Sequence, residues 1–232
     1  MEEQEIDMPV YLITGFLESG KTTFINFTVQ QEYFQIEEPT LLIACEEGEV
    51  EYDEAMLLKH NTVLEVLEDP EELTRDKLRA FQRKYRPDRV ILEYNPLWGV
   101  KHLEEMDLPH GWGIVQHIVT VDASTFQVYM NNMKSLFVEM ARNADMVMFN
   151  RCKKEQPLAN FRRSIKVVNP GCEILFEDEE GELTDIFEDE VPYDLKADVI
   201  EIEDMDYGIF YVDMRDHPER YQGRIVKFKG MV

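Results

Sequence analysis

Basic residues are scarce in this chain, whose 232 residues include 24 Lys and Arg against 48 Asp and Glu, for a net charge of −24. Proteins bind nucleic acids and anionic membranes chiefly by placing Lys and Arg on phosphates and releasing counterions. An excess of carboxylates repels the same polyanions. The composition therefore argues against a protein that binds DNA or RNA.

Cysteine is rarer still, and its three copies are far apart. None of Cys45, Cys152 and Cys172 belongs to a Cys-x-x-Cys pair. An odd number of isolated thiols gives no support to a disulfide framework or a structural zinc site, and it is typical of a reducing compartment. We therefore expect a cytoplasmic protein.

Long apolar runs are also missing. No uncharged segment approaches the roughly 20 residues that cross a bilayer, and the first ten residues, MEEQEIDMPV, lack the basic start and apolar core of a secretory signal. We expect no direct insertion into a membrane. A hydrophobic content of 44% is nevertheless ordinary for a folded domain.

The most informative segment covers residues 10–27, VYLITGFLESGKTTFINF. Its first four residues predict a buried strand, and a helix is predicted from residue 23 onward. Between them, residues 15–22 match the phosphate-loop pattern of Gly, four residues, then Gly-Lys-Thr. A plain glycine turn before a helix is the alternative, but the order of strand, loop and helix favours a nucleotide site.

The residue types in this loop suit phosphate binding. Gly15 and Gly20 let the backbone turn sharply and bring its N–H groups close to an oxyanion. The first helical turn adds unpaired N–H donors and the positive end of the helix dipole. Lys21 is placed to reach the β- and γ-phosphates, and the Thr22 hydroxyl suits the coordination shell of Mg²⁺.

Apolar segments alternate with amphipathic ones over the first 176 residues. Further strands are predicted over residues 40–45, 62–67, 89–94, 117–121, 146–150 and 173–176, and helices over 71–86, 125–143 and 156–165. Such alternation predicts βαβ units. The predicted fold class is therefore α/β, of the P-loop NTPase type, with a mostly parallel sheet and helices on both faces.

A strongly acidic stretch, residues 177–190, separates this pattern from the end of the chain, with nine acids and no Lys or Arg. We interpret it as a solvated boundary in preference to an acidic metal trap. It divides the chain into a nucleotide-binding domain, residues 1–190, and an incomplete β-rich segment, residues 191–232. Strands in the second part are predicted over residues 198–202, 208–212 and 224–229.

Carboxylates close to strand ends are candidates for the metal shell. P-loop enzymes use an acid near the end of a strand for this purpose. Glu93 ends the strand predicted over residues 89–94, although a simple charged strand exit is the alternative. The acidic loop at residues 46–53, which includes Glu49 and Asp53, is the predicted switch that senses the γ-phosphate.

At these segments the sequence resembles the CobW-like family of P-loop GTPases, relatives of HypB and UreG. The resemblance is carried by residues 15–23 (Gly-Phe-Leu-Glu-Ser-Gly-Lys-Thr-Thr), by Gly48-Glu49-Val50-x-x-Asp53, by Glu93-Tyr94-Asn95-Pro96 in place of Glu-Thr-Thr-Gly, by Val121-Asp122-Ala123 and by Asn169-Pro170.

This resemblance implies binding and hydrolysis of GTP, with ATP as an alternative, and a role in metal trafficking or metallocentre assembly. Mg²⁺ would be bound through Thr22 and Glu93. Catalytic roles would fall to Lys21, Glu93, Glu49 and Asp53. The nucleotide would contact Gly15, Glu18, Ser19, Gly20, Lys21, Thr22, Thr23 and Asn150.

Two departures from the family pattern matter. Residues 66–72, VLEDPEE, contain no cysteine where the family carries a metal-binding Cys-x-Cys-Cys motif. The base-reading Asn-Lys-x-Asp motif is replaced by Asn150-Arg151-Cys152-Lys153. Lys153 only donates hydrogen bonds and cannot accept those of guanine, which would cost about 1–3 kcal/mol. We therefore expect a weakened guanine preference, unless Glu155 substitutes as the acceptor.

The end of the chain, residues 221–232, resembles the start of the small β domain of the YcgQ-type family associated with a permease. The nucleotide hydrolase thus has an alternative: a nucleotide-binding regulatory subunit with little or no hydrolysis that partners a membrane permease. The partner classes are then a metalloprotein client or a permease subunit. A third hypothesis has Glu46, Glu47 and Glu49 bind a hard cation directly.

Overall fold

The computed structural model describes residues 6–45, 51–99, 103, 108–183, 191–204 and 206–229. Within these ranges a seven-stranded sheet dominates, and all its neighbouring strands are parallel. Its strands are β1 Met8–Thr14, β2 Thr40–Ala44, β3 Thr62–Val66, β4 Arg89–Glu93, β5 Trp112–Asp122, β6 Met146–Asn150 and β7 Glu173–Phe176. Their order across the sheet is β3-β2-β4-β1-β5-β6-β7.

The helices that the structure describes connect these strands and continue beyond them. They are α1 Lys21–Val29, α2 Glu54–Lys59, α3 Arg75–Tyr85, α4 Phe126–Asn132, α5 Lys134–Arg142, α6 Leu158–Val168 and α7 Tyr207–Asp216. Side-chain caps fix two of the starts. Asp53 accepts the Met56 N–H at α2, and Thr74 accepts the Lys77 N–H at α3. Within the described ranges, no helix has both the length and the apolar character needed to span a membrane.

Helices cover both faces of the sheet because successive strand side chains point to opposite sides. Leu41 and Ile43 of β2 belong to the buried cluster that includes Phe81 of α3. Leu42, between them, belongs to the cluster that includes Ile25 of α1. The predicted fold class, a parallel α/β sheet with helices on both faces, is confirmed.

The strands predicted within residues 10–176 are all present, and β5 begins earlier than expected, at Trp112. The single helix predicted over residues 125–143 is wrong, since α4 and α5 are separated at Met133, where φ is −132°. The break follows Asn131 and Asn132, which have low helix propensity. The helix predicted over residues 71–86 starts only at Arg75, after a 3₁₀ turn over Pro70–Glu72.

The last part of the chain folds as a strand, a helix and a strand. β8 Val199–Glu201 and β9 Ile225–Lys227 form a parallel pair, with α7 between them in the chain. The strand predicted over residues 208–212 is therefore wrong. Those residues lie in α7, where Phe210 packs against Tyr193, Ile200 and Tyr221 in a separate buried cluster. The division into domains at residue 190 stays a prediction.

Candidate functional site

The loop between β1 and α1 lies at the centre of the sheet. β1 pairs with β4 on one side and with β5 on the other, and its carboxyl end leads into residues 15–20. Strand order changes direction at β1, because the chain first builds β2, β3 and β4 on one side and then β5, β6 and β7 on the other. Open α/β sheets bind ligands in the crevice at such a switch point.

The two glycines of the loop are required by their surroundings. Gly15 has φ 148° and Gly20 has φ 94°, both in the region that side chains disfavour. A Cβ on Gly15 would lie 2.5 Å from the Thr120 carbonyl oxygen, and one on Gly20 would lie 2.6 Å from Asn150 Nδ2. The loop backbone therefore runs in direct contact with the ends of β5 and β6.

Lys21 is the first residue of α1, and only 3% of its surface is exposed. Its ammonium donates to the carbonyl oxygens of Gly15, at 2.9 Å, and Phe16, at 3.0 Å. The side chain thus folds back across the loop that precedes it. This places a buried positive charge inside the loop where the sequence predicts a phosphate.

Thr22 and Glu93, the two predicted metal-binding residues, are in contact. Thr22 Oγ1 donates to Glu93 Oε1 at 3.2 Å. Glu93 is the last residue of β4 and only 2% exposed. A hydroxyl and a carboxylate that meet beside a phosphate loop are hard oxygen donors, and they form a donor set that Mg²⁺ prefers.

Tyr52, which is not among the predicted site residues, joins this pair. Its hydroxyl donates to Glu93 Oε2 at 2.5 Å. Burial raises the pKa of Tyr52 well above its ordinary value, and the negative charge of Glu93 raises it further. The phenol therefore stays a neutral hydrogen-bond donor. A signal for its role exists only in its position within the predicted switch segment.

The predicted switch acids are only partly described. Asp53 Oδ1 accepts the Met56 N–H at 3.1 Å, so its carboxylate caps α2. Glu49 lies outside the described residues, as do the other residues of 46–50. The hypothesis that Glu46, Glu47 and Glu49 bind a hard cation also stays a prediction. Elsewhere in the described chain, no group of three His, Cys, Asp or Glu side chains could hold a metal ion.

Ser19 and Asn150 fasten the loop to the neighbouring strands. Ser19 Oγ lies 2.7 Å from Thr120 Oγ1, and Asn150 Nδ2 donates to the Ser19 carbonyl oxygen at 2.7 Å. Asn150 Oδ1 is buried and has no hydrogen-bond partner among the residues that the structure describes. The predicted base-reading asparagine therefore also supports the phosphate loop. Thr23, the third residue of α1, is exposed.

Arg151 and Asp122, neither of them a predicted site residue, form an ion pair. Arg151 Nη1 lies 2.5 Å from Asp122 Oδ2 and 3.0 Å from the carbonyl oxygen of Glu18, whose own φ is 60°. Burial alone would raise the pKa of Asp122, but hydrogen bonds from Ser124 and Arg151 outweigh it and lower the pKa. Arg151 thus links the Asp122 carboxylate at the end of β5 to the backbone of the loop at Glu18.

The altered base motif places no carboxylate at position 153. Lys153 is exposed, and its backbone N–H donates to Gln156 Oε1 at 2.7 Å. Cys152, the preceding residue, is buried, and burial raises its pKa to about 11. Cys45 and Cys172 are also buried, and none of the three thiols is in a disulfide. These thiols are therefore poor ligands for a delivered metal.

A large cavity lined by described residues lies elsewhere. It has a volume of about 430 Å³ and is located between α6 and α7, where Arg162, Lys166, Ile209 and Val212 contribute to its wall. It contains none of the predicted site residues. Size alone therefore does not identify the functional site of this chain.

Comparisons with known proteins agree with the fold. Residues 9–176 match the family model described as CobW/HypB/UreG, nucleotide-binding domain. The structure resembles the hydrogenase maturation factor HypB from Archaeoglobus fulgidus, with a TM-score of 0.53 and 16% identity over 75% of this chain and 83% of that one. It also resembles the Zn(II)-bound YjiA GTPase from E. coli, with a TM-score of 0.54 and 18% identity over 76% of this chain.

The chain spans only 59% of the length of YjiA. No curated protein sequence matches it significantly. The family model ends at residue 176, so the resemblance of residues 221–232 to the YcgQ-type domain stays a prediction. At these identities the two structures support the fold alone, whereas the family model covers most of the chain. The chain belongs to the CobW/HypB/UreG family and carries the nucleotide-binding domain of that family.

Proposed function

We propose that this chain is a P-loop nucleoside-triphosphate hydrolase that takes GTP, with ATP as the alternative, together with Mg²⁺. One observation carries the proposal: the Lys21 ammonium inside the loop and the Thr22–Glu93 pair converge at the carboxyl ends of β1 and β4. A phosphate tail and its metal require these groups at this spacing.

The loop would act mainly by electrostatic placement. Backbone N–H groups of residues 15–22 and the start of α1 would bind the phosphate oxygens. Lys21 already lies inside the loop, held by two carbonyl oxygens, and it would turn its charge to the γ-phosphate. A fixed charge that needs no rearrangement of solvent stabilises the transition state more than one supplied by water.

The donor set fits Mg²⁺, so Thr22 and Glu93 are the residues that would hold it. When bound, this ion neutralises charge that develops on the phosphates. Glu93 would orient the water shell through its buried carboxylate. Asp53 and Glu49 are proposed to orient the attacking water. Asp53 would do so through its second carboxylate oxygen, because the first accepts the Met56 N–H at the start of α2.

In the cell, we propose a role in metal trafficking or metallocentre assembly, with a metalloprotein as client. The family membership supports this role. The metal itself would not be held at residues 66–72, because that segment has no thiolate, and the three cysteines of the chain are buried elsewhere. Ligands from the client, or from residues outside those described, would then complete its coordination.

Phosphate release from the wild type, Lys21→Ala and Lys134→Ala tests the proposal. Loss of the loop ammonium should slow release by about 10²–10³-fold. Lys134 is exposed at the start of α5, so its substitution controls for loss of one positive charge. Equal background rates in all three proteins, with nucleotide still bound by the wild type, would instead support the regulatory subunit that partners a permease.

A further inference from the structure

The two oxygens of the Glu93 carboxylate have different neutral donors. Thr22 Oγ1 donates to Oε1 at 3.2 Å, and Tyr52 Oη donates to Oε2 at 2.5 Å. Glu93 is nearly inaccessible to solvent. A buried carboxylate between two fixed donors cannot rotate freely about its last bond, so the direction of its remaining lone pairs is fixed as well.

Tyr52 can fix Glu93 because its own ring is anchored. The ring packs against the buried cluster that contains Ile25 of α1, Leu42 of β2 and Leu57 of α2. The next residue, Asp53, caps α2 through its side chain. The position of the Tyr52 hydroxyl is therefore fixed by the packing of its ring and by the capped start of α2.

We propose that Tyr52 is a positioning residue for the metal site, which holds the Glu93 carboxylate in the orientation that receives the water shell of nucleotide-bound Mg²⁺. This inference rests on the proposed function. Each carboxylate oxygen can accept more than one hydrogen bond, so the Tyr52 contact leaves Oε2 able to accept a metal-bound water. Groups that orient a metal-binding carboxylate typically account for 10–100-fold in metal affinity.

The contact also links the metal site to α2. Whatever stabilises the Tyr52–Glu93 bond also stabilises the backbone immediately before α2, since Tyr52 and Asp53 are adjacent. By reciprocity, that backbone affects metal affinity to the same extent. Tyr52 is thus the residue through which the metal site and the start of α2 influence each other.

The experiment is a Mg²⁺ titration of the complex with an N-methylanthraniloyl nucleotide, prepared first in EDTA. In Tyr52→Phe the ring remains and only the hydroxyl is lost. The half-saturating Mg²⁺ concentration should rise 10–100-fold, while nucleotide affinity in EDTA stays unchanged. Tyr85→Phe is the matched control. Tyr85, at the end of α3, also donates its hydroxyl to a glutamate, but this is Glu65 of β3, which is not a predicted site residue.

Several outcomes would overturn the inference. Unchanged Mg²⁺ affinity in Tyr52→Phe would leave Tyr52 with a structural role, and tighter Mg²⁺ binding would make it a competitor of the metal. If the loss of Mg²⁺ affinity in the double variant equals the sum of the losses in Tyr52→Phe and Glu93→Gln, Tyr52 does not act through Glu93. Failure of the wild type to bind nucleotide in EDTA or in Mg²⁺ would instead refute the proposed function.

A measurement on the wild type keeps the inference testable if Tyr52→Phe does not fold. Hydrogen exchange is compared between the EDTA and Mg²⁺ forms of the nucleotide complex. Mg²⁺ should slow exchange of the first amides that hydrogen-bond in α2, at Met56 and Leu57. Equal exchange at these amides in the two forms would contradict the link through Tyr52.

Discussion

Gly20→Ala is the most direct test of how the phosphate loop is held. Gly20 combines φ 94° with an Asn150 side chain in its path. The left-handed backbone alone costs a residue with a Cβ about 1–2 kcal/mol. The new Cβ would also lie 2.6 Å from Asn150 Nδ2, which must then move away from the Ser19 carbonyl oxygen.

Loss of that hydrogen bond adds about 0.5–1.5 kcal/mol. Gly20→Ala should therefore lower the free energy of unfolding by about 2–3 kcal/mol, measured by urea denaturation. Gly223→Ala is the control, because Gly223 has φ 74° but open space where its Cβ would be. It should show the backbone cost of about 1–2 kcal/mol alone.

A double-mutant cycle separates the two contributions within the loop. In an Asn150→Ala background the side chain that obstructs Cβ is gone, so Gly20→Ala should cost about 1 kcal/mol less than it does in the wild type. Triphosphate affinity, measured in parallel, should fall in Gly20→Ala and not in Gly223→Ala. An equal cost of Gly20→Ala in both backgrounds would refute the contact with Asn150 as its cause.

Two further predictions concern the base and pH. Lys153→Asp supplies an acceptor carboxylate, so it should tighten GTP binding roughly tenfold and leave ATP affinity unchanged. Lys154→Asp changes the charge by the same amount and should not tighten GTP binding. Equal effects of the two variants on GTP affinity would indicate that the change in charge, not the new acceptor, is the cause. His117 is buried against Thr14, and burial lowers its pKa. As the pH falls, the imidazole is protonated in the unfolded state before it is protonated in the folded state. The free energy of unfolding should therefore fall below about pH 6.5, and fall less in His117→Gln. Equal shifts of the urea midpoint between pH 7.5 and 5.5 in the two proteins would contradict this prediction.

Most of the sheet could be predicted because parallel strands are buried on both faces. Every residue of β2 and β4 is buried, and most of these residues are apolar. Helix limits were less predictable because they depend on single contacts. The Thr74 cap delays the start of α3, and the unusual backbone at Met133 divides α4 from α5.

The error at residues 208–212 has a different origin. Gly-Ile-Phe-Tyr-Val is rich in β-branched and aromatic residues, which favour strands when only local preference acts. In the folded chain, burial of Phe210 in a separate cluster selects the helix. That cluster is built from Tyr193, Ile200 and Tyr221, so the deciding contacts are distant in sequence.

The same distinction explains which site residues could be identified. Lys21 and Thr22 belong to a local pattern, and Glu93 is marked by its place at a strand end. Tyr52 is recognised only through its hydrogen bond to Glu93, 41 positions away. No local spacing predicts such a contact, because it depends on how Tyr52 packs against the cluster that contains Ile25 of α1.

The loop and the altered base motif cannot vary independently in this fold. Asn150 begins the changed motif, yet its side chain donates to Ser19 and occupies the space that a Cβ on Gly20 would need. Arg151, the next residue, contacts Glu18 from the same strand end. Substitutions of Asn150 or Arg151 would therefore also affect the phosphate loop, because each side chain donates a hydrogen bond to the loop backbone. Lys153 makes no such side-chain contact among the described residues, so we expect its substitution to change base preference while the loop keeps its shape.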